Sequence, residues 1–490
     1  MNNSSSDRIV RELRAWISSS APGAQLPPTR ELVSQFRASP VTVQKALSRL
    51  TQSGLIDTQP GVGTFVRGQR AAKAADYGWQ TSTLGIPARR VPAMSTALKS
   101  VPYESMELHS GYPDRSLLAE RLVHQAFIRA ARSDAAVARP PSAGLPELQA
   151  WCAAELAAQM STSLSAPNPA DVIVFPGSQS ALGLLFRALT HGRETLPGVA
   201  SLSGKRPQAS PEGQQPIILM ESPTYWGAIS AAAQVGVEVV PVPSGPQGID
   251  LVALENALKR TGAKAIYAQP NFTNPTGTQW TPDTVDGVLD LIRAHNAFLI
   301  EDDWARDFGI ESESMPVAAR NDDGHVIYLR SFTKSISTAV RVATVIARGP
   351  VRQRILADVQ AEAMYVSGIL QRVAVDVVTQ PAWRTHVKSL RHTLRTRRDL
   401  LRDAIATHLP DAHIDHVPQG GLNLWVRFPE GTQVHELAQY AEQRSVIIAS
   451  GDEWFPAEPT APYVRLNFSG PNPGSYPDAM RVLGEYFNRM

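Results

Sequence analysis

The first seventy residues alternate apolar and polar positions at the period of an α-helix. Ile9, Leu13, Trp16 and Ile17 recur three and four apart behind Asp7, which predicts an amphipathic helix with Asp7 as its N-cap. Pro22-Gly23 and Pro27-Pro28 break the run. Thr29 is the expected cap of a second, short helix with Leu32, Val33 and Phe36 inward. A third helix opens at Ser39-Pro40, with Ser39 as cap and Pro40 at the first helical position, where a missing N–H costs nothing. Its apolar face is Val43, Ala46, Leu47 and Leu50, and Gly54 stops it. Two short runs, Leu55 to Thr58 and Thr64 to Val66, flank the tip Pro60-Gly61-Val62-Gly63 and read as a hairpin. Three short helices and a β-wing describe a winged helix-turn-helix, whose last helix enters the DNA major groove.

From about Gly68 to Met106 the periodicity dissolves into Ala, Pro, Ser and Arg, the texture of a linker. From Glu107 onward, apolar strand-like runs alternate with helical patterns, which predicts an α/β body. The strands are Val172 to Phe175, Ile217 to Met220, Ala265 to Ala268, Phe298 to Ile300 and the run before Lys334. The polar stretch His191 to Gln215 reads as a surface insertion. From about Val351 the pattern is helical, and the arginines between His386 and His408 read as a solvated face. Gly420 to Val426 reads as a further strand. The expected domains are a head at 1–68, a linker at 69–106 and a body at 107–490.

Composition adds limits. The chain has 490 residues, 43% of them hydrophobic, and no uninterrupted apolar run long enough for a transmembrane helix. Its N-terminus lacks the basic-then-apolar order of a secretory signal, and the single cysteine, Cys152, excludes an intramolecular disulfide. A cytoplasmic protein is expected. The net charge of +2 conceals an asymmetry. Residues 1–70 hold nine Lys/Arg and four Asp/Glu, a balance of +5, which leaves −3 for the rest. A basic head on a near-neutral body points to an anionic partner for the head alone.

The densest chemistry lies in Ser331-Phe332-Thr333-Lys334, at the end of a β-branched run. A lysine just past a buried strand has its ammonium disfavoured by burial, leaving a nucleophilic amine suited to imine formation. Arg341 follows, a fixed cation that forks onto phosphate. Gly177-Ser178-Gln179 ends one strand and opens a helix, where free N–H groups favour an anion. Tyr225 follows another strand and is placed either to lie on a ligand ring or to join the core. Asn274 sits in Asn274-Pro275-Thr276-Gly277, rich chemistry for a plain turn. Glu301-Asp302-Asp303 falls at the carboxyl end of a parallel strand, where such sheets bind ligands. No histidine or cysteine cluster supports a metal there. An ion pair to a pyridinium nitrogen suits the carboxylates better.

The head resembles the DNA-binding domain of GntR-type bacterial regulators. The resemblance implies that Arg30, Thr42 and Gln44 contact DNA and that Gly61 lets the wing approach the minor groove. Lys45 is a further phosphate contact. Where that family often has arginines, this chain has Pro40 and Gln44, so the resemblance carries over DNA binding but not the operator sequence, and Gln44 is suited to adenine. The body's five motifs occur in the order seen in fold-type I aminotransferases. That likeness implies pyridoxal 5′-phosphate as cofactor, bound as a Schiff base to Lys334. Asp302 would then pair with the pyridine nitrogen, Asn274 would bond the ring oxygen, and Tyr225 would stack on the ring. Ser178, Gln179, Ser331, Thr333 and Arg341 would hold the phosphate, and Arg465 in Tyr463 to Phe468 would take an effector's or substrate's carboxylate. Related chains often carry tyrosine after the Asp pair, where this one has Trp304. An indole has no acidic O–H, which weighs against efficient transamination.

Head, linker and body together resemble the MocR-type regulators. That resemblance implies a PLP-binding transcription regulator sensing PLP, a small amine or an amino acid at Lys334. It also implies a domain-swapped homodimer on operator DNA, in a bacterial cytoplasm and nucleoid. The alternative is a catalytically active PLP-dependent aminotransferase with a fused DNA-binding module.

Overall fold

Short amphipathic helices build the head around a handful of side chains. The computed structural model describes residues 5–67, 95–102, 104–191 and 215–488. Contacts divide the chain into two compact units, residues 1–88 and 89–490. In the head, α1 (Ser5–Ser19), α2 (Thr29–Phe36) and α3 (Pro40–Gln52) precede the antiparallel hairpin β1 (Ile56–Gln59) and β2 (Gly63–Val66). Ile9, Val43, Ala46 and Leu50 are fully buried at its centre. At about 1.5–3 kcal/mol for each large side chain, this small core is what holds the module together. Ser39 caps α3 as expected, its hydroxyl accepting from the Thr42 N–H at 3.2 Å.

Two expected caps are corrected. Asp7 lies inside α1, not at its start, and is held by Arg49 of α3 at 2.6 Å. Thr29 is the first helical residue of α2, and Pro28 occupies the cap position without a side-chain bond. Trp16, read as part of the apolar face, is 38% exposed. The helix turns it outward because Leu13 and Ile17 already fill that side of the core.

The body begins in the described residues at Ser95. Of the stretch read as linker, residues 68–94 lie outside the described residues; from Ser95 onward the chain is fixed to the body. Ser95 Oγ and the Thr96 N–H both donate to Glu453, at 2.5 and 3.0 Å. Lys99 pairs with Glu442. Strand β3 (Met106–Glu107) lies parallel to a strand near the C-terminus, with Met106 opposite Val446. Most of the expected insertion, residues 192–214, also lies outside the described residues.

The body's main sheet has eight strands. In chain order they are β4 (Val172–Phe175), β5 (Ile217–Ser222), β6 (Glu238–Gly245), β7 (Gly248–Ile249), β8 (Ala265–Ala268), β9 (Phe298–Asp303), β10 (Val326–Ser331) and β11 (Ala343–Ile346). Their spatial order is β4-β11-β10-β9-β8-β5-β6-β7. Strands β10, β9, β8, β5 and β6 run parallel, while β11 is antiparallel to both its neighbours. Burial on both faces accounts for the unbroken apolar runs of β4, β8 and β10. Separate apolar clusters fill the two faces. A C-terminal lobe packs β12 (Asn423–Arg427) and β14 (Ala449–Ser450) on either side of β15 (Tyr463–Asn467). Between β12 and β14 comes the short β13 (Val446–Ile447), the partner of β3.

The topology fixes where chemistry collects. The parallel strands β8, β9 and β10 end at one edge of the sheet. Strand β4, antiparallel to β11, shares their direction and delivers Gly177 and Ser178 to that edge. Because β11 runs the other way, Arg341, just ahead of it, arrives at the same edge.

The arginine-rich run is one long helix, Pro381–His408, and its face is not simply solvated. Arg398 is buried, donating to the Pro418 carbonyl at 2.7 Å and to Glu311 at 2.8 Å. Spacing three and four apart put Arg398 on the charged stripe, but that stripe passes beneath the loop carrying Glu311. Among the described residues no helix is long and apolar enough to cross a membrane.

Candidate cofactor site and DNA-binding surface

A cavity of about 180 Å³ opens at that sheet edge. All ten residues expected at the site line it: Ser178, Gln179, Tyr225, Asn274, Asp302, Ser331, Thr333, Lys334, Arg341 and Arg465. Trp304, Gln269, Tyr112 and Gly111 complete much of the wall, with Ala97 and Leu98 of the segment after Ser95.

Lys334 is partly buried, its Nζ 4.1 Å from the centroid of the Trp304 ring and 5.9 Å from that of Tyr225. Burial, reinforced by the Arg465 cation, pushes its pKa down to about 7, against the opposing pull of Asp302. Near neutral pH a large share of this side chain is therefore free amine.

Asp302 is buried and held at one oxygen. Tyr267 Oη donates to Oδ2 at 2.8 Å and Gln269 Nε2 donates to it at 2.9 Å. Its Oδ1 is buried without a partner. Burial raises its pKa, with the two hydrogen bonds and Lys334 pulling the other way. A buried carboxylate oxygen left open beside a lysine is complementary to a cationic N–H. The neighbouring carboxylates diverge, as alternation along a strand requires. Glu301 accepts from the Val317 and Ala318 N–H groups at 2.8 and 2.9 Å. Asp303 accepts from Tyr328 Oη at 2.8 Å. The three expected as a cluster are thus one cavity residue and two structural ones.

Gln269 was not singled out in the sequence, yet it ties the site together. Beside its bond to Asp302, its Oε1 accepts from the Asn274 N–H at 2.9 Å. Asn274 Oδ1 accepts from Arg465 Nη1 at 3.2 Å, which leaves the Asn274 amide nitrogen as a donor. Arg465 is fully buried, stacked 4.5 Å over Trp454, with Nη2 donating to the His109 carbonyl at 2.5 Å. Burial lowers its pKa to about 10, which still leaves it charged at neutral pH.

The phosphate end is shaped by backbone. Gly177 has φ 97° and caps the helix Ser178–Thr190, whose first N–H groups have no partner within the helix. A Cβ on Gly177 would lie 2.8 Å from Arg341 Nη2. Thr333 Oγ1 is buried and unpartnered. Gln179 does not present a free amide: Nε2 donates to the Gly227 carbonyl at 2.7 Å, and Oε1 accepts from Tyr225 Oη at 3.1 Å. Its side chain is thus committed to Tyr225 and Gly227.

In the head, Arg30, Gln44, Lys45 and Gly61 are exposed and Thr42 is half-buried. The Thr42 hydroxyl lies 2.8 Å from Ser39 Oγ, so the cap uses it. Gly61 has φ 75°, which a hairpin tip demands. Neither Arg30 nor Lys45 has an ion-pair partner among the described residues, whereas Arg67 forks onto Asp57.

A winged helix joined to an α/β body with a lysine, an open carboxylate and a phosphate cradle at one sheet edge defines a class: a DNA-binding head fused to a fold-type I aminotransferase-like body. Residues 106–482 match aminotransferase class I and II, and residues 5–66 match the bacterial regulatory proteins of the gntR family. The chain belongs to the class I and II aminotransferase family in its body and has the MocR-type organisation as a whole. It is 23% identical over 456 residues to the uncharacterized HTH-type transcriptional regulator YdfD of Bacillus subtilis, covering 91% of this chain and 88% of that one. It is 25% identical over 481 residues to the uncharacterized HTH-type transcriptional regulator YdcR of Escherichia coli, covering 94% of each. Among solved structures, LysN, the α-aminoadipate aminotransferase of Thermus thermophilus, aligns with a TM-score of 0.69 and 23% identity, covering 82% of this chain and 96% of that one. The cofactor is pyridoxal 5′-phosphate, and the open Asp302 Oδ1, the unpartnered Thr333 hydroxyl and the Arg341 guanidinium, brought close against the backbone of Gly177 where a Cβ would displace it, fit its ring nitrogen and phosphate.

Proposed function

We propose that this chain is a transcription regulator whose body reads PLP, or a small amine or amino acid, at Lys334 and whose head binds operator DNA. The observation that carries the reading is one cavity lined by Lys334, Asp302, Thr333 and Arg341 in the same chain as a winged helix whose α3 exposes Gln44 and Lys45. When bound, pyridoxal phosphate supplies an aldehyde that condenses with amines. The residues do the rest. Lys334 offers a neutral amine near pH 7. Asp302 holds a proton at the ring nitrogen, Tyr225 backs the ring, and Asn274 donates to the ring oxygen. Ser178, Gln179, Ser331, Thr333 and Arg341 take the phosphate, and Arg465 receives an effector's carboxylate. Arg30, Thr42, Gln44, Lys45 and Gly61 form the DNA contacts. A homodimer with exchanged heads would present two of them to repeated half-sites.

Signalling requires that a ligand favour one head arrangement over another, because only a difference in affinity between two states moves their balance. The test is operator affinity, by fluorescence anisotropy on the gene's own upstream DNA, with and without PLP at fixed salt. The wild type should shift several-fold and Lys334→Ala should not. Equal affinities throughout would sink the coupling.

The rival reading, an active aminotransferase, is favoured by the presence of both Lys334 and Arg465 in one cavity. It requires repeated turnover of an amino donor and a keto acid. The absence of a phenol at Trp304 weighs against it.

A further inference from the structure

A second and larger cavity, about 770 Å³, lies on the body away from the lysine cavity and shares no lining residue with it. Its innermost group is Arg330, the residue just before Ser331 on β10. Arg330 is 2% exposed, and its guanidinium lies 4.9 Å from both the Trp151 and the Phe332 ring centroids. Two nitrogens are paired, with Glu155 and with Asp307, but Nε is buried without a partner. One side wall is the start of the helix Pro381–His408, where Trp383, Arg384, Val387 and Lys388 share a face. Neither Arg384 nor Lys388 has an ion-pair partner among the described residues, and both are exposed. By contrast Arg391, a turn further on, is neutralised by Glu313 at 2.9 Å.

The groups left without an ionic partner, Arg384, Lys388 and the Arg330 Nε, are all cationic donors, while Glu155, Asp307 and Glu313 of the lining are paired with arginines, and Trp151 and Trp383 both contribute to the walls. We propose that this cavity is a second ligand site, for a small carboxylate with a flat aromatic body. The ring system lies against the tryptophan-bearing wall, and the carboxylate is held by Arg384 and Lys388 at the rim. A volume in the range of small-molecule pockets admits such a molecule. The site is independent of the cofactor. Its lining includes Arg330, on the strand that leads into Lys334, so occupancy bears on the segment from Arg330 to Lys334 through the Arg330–Phe332 stack.

The test uses the full-length, PLP-loaded protein and 2-naphthoate as probe, followed by calorimetric titration. Saturable binding is expected. The Arg384→Ala/Lys388→Ala double variant, which changes only exposed side chains, should weaken binding tenfold or more. Exchanging the cations (Arg384→Lys/Lys388→Arg) should hold affinity within about threefold, since charge is kept. The uncharged 2-naphthylmethanol should bind at least tenfold more weakly than the acid, and Arg465→Ala should leave naphthoate binding intact. Failure of the wild type to saturate would overturn the proposal. So would equal affinity in the double Ala variant or for the alcohol. Loss in Arg465→Ala with retention in the double Ala variant would place the probe in the lysine cavity and overturn it as well.

Discussion

The Lys334 amine faces the flat of the Trp304 indole, 4.1 Å from its centroid. A ring face attracts an ammonium but gives no proton to it or to a bound ligand, and the Trp304 N–H is buried without a partner. Trp304→Tyr supplies a phenol, and so an acidic O–H, at this position. It should raise the single-turnover rate of amino-acid conversion by about a hundredfold, the low end of what a positioned proton donor contributes. Stopped-flow absorbance of the cofactor band measures this, and an unchanged rate would clear the indole of being the brake.

Cofactor capture needs the uncharged amine of Lys334, whose pKa is held down to about 7 by burial and by Arg465. Uptake of PLP by the cofactor-free protein should accelerate as pH rises, with a midpoint near 7 and a plateau beyond it. Arg465→Leu removes a neighbouring cation, so the ammonium is less disfavoured and the midpoint moves up. Asp302→Asn removes the anion that favours the ammonium, so the midpoint moves down. Rates still climbing at about pH 9 in the wild type would contradict the lowered pKa.

Asp302→Asn also deprives a ring N–H of its charged acceptor while Tyr267 and Gln269 continue to donate into the same spot. A hydrogen bond to a charged group contributes about 1.5–3 kcal/mol, so cofactor retention should fall by at least tenfold. Dialysis followed by absorbance reads the loss. Asn has nearly the shape of Asp, so the thermal midpoint of the cofactor-free protein should hold or rise as a buried charge is removed.

Gly177→Ala sets a side chain at φ 97° and 2.8 Å from Arg341 Nη2. The phosphate end should suffer and the ring end should not. Competition between PLP and unphosphorylated pyridoxal should show most of the preference for PLP lost.

In the head, Lys45→Ala should weaken DNA binding by a similar factor on every sequence and lower the salt dependence by about one ion, the signature of a lost phosphate contact. Gln44→Ala should instead cost about 1–3 kcal/mol on the preferred operator alone. Anisotropy titrations at several salt concentrations on matched and mutated operators separate the two.

Much of the lysine cavity was legible because Ser178, Tyr225, Asn274 and Lys334 follow strands and Asp302 and Ser331 end them, and shared strand direction brings those ends to one edge. The sequence could not say which atoms stay open. That Asp302 keeps Oδ1 free depends on Tyr267 and Gln269 crowding the other oxygen from positions more than thirty residues away. Nor could it show that Gln179 is taken up by Tyr225 and Gly227. Helix starts were misread where a capping residue type had another use, as with Asp7 bound to Arg49. Arg398 was misread because helical spacing reveals a stripe but not the loop that covers it.

Ser95 and Thr96 clasp Glu453, and the next two residues, Ala97 and Leu98, are wall to the lysine cavity. Two residues of chain span only about 7 Å. Glu453 in turn adjoins Trp454, the ring beneath Arg465. One carboxylate thus works as a clasp that holds the start of this segment, and with it Ala97 and Leu98, against the cavity. An occupant too bulky for Leu98 would press on that catch from inside the cavity.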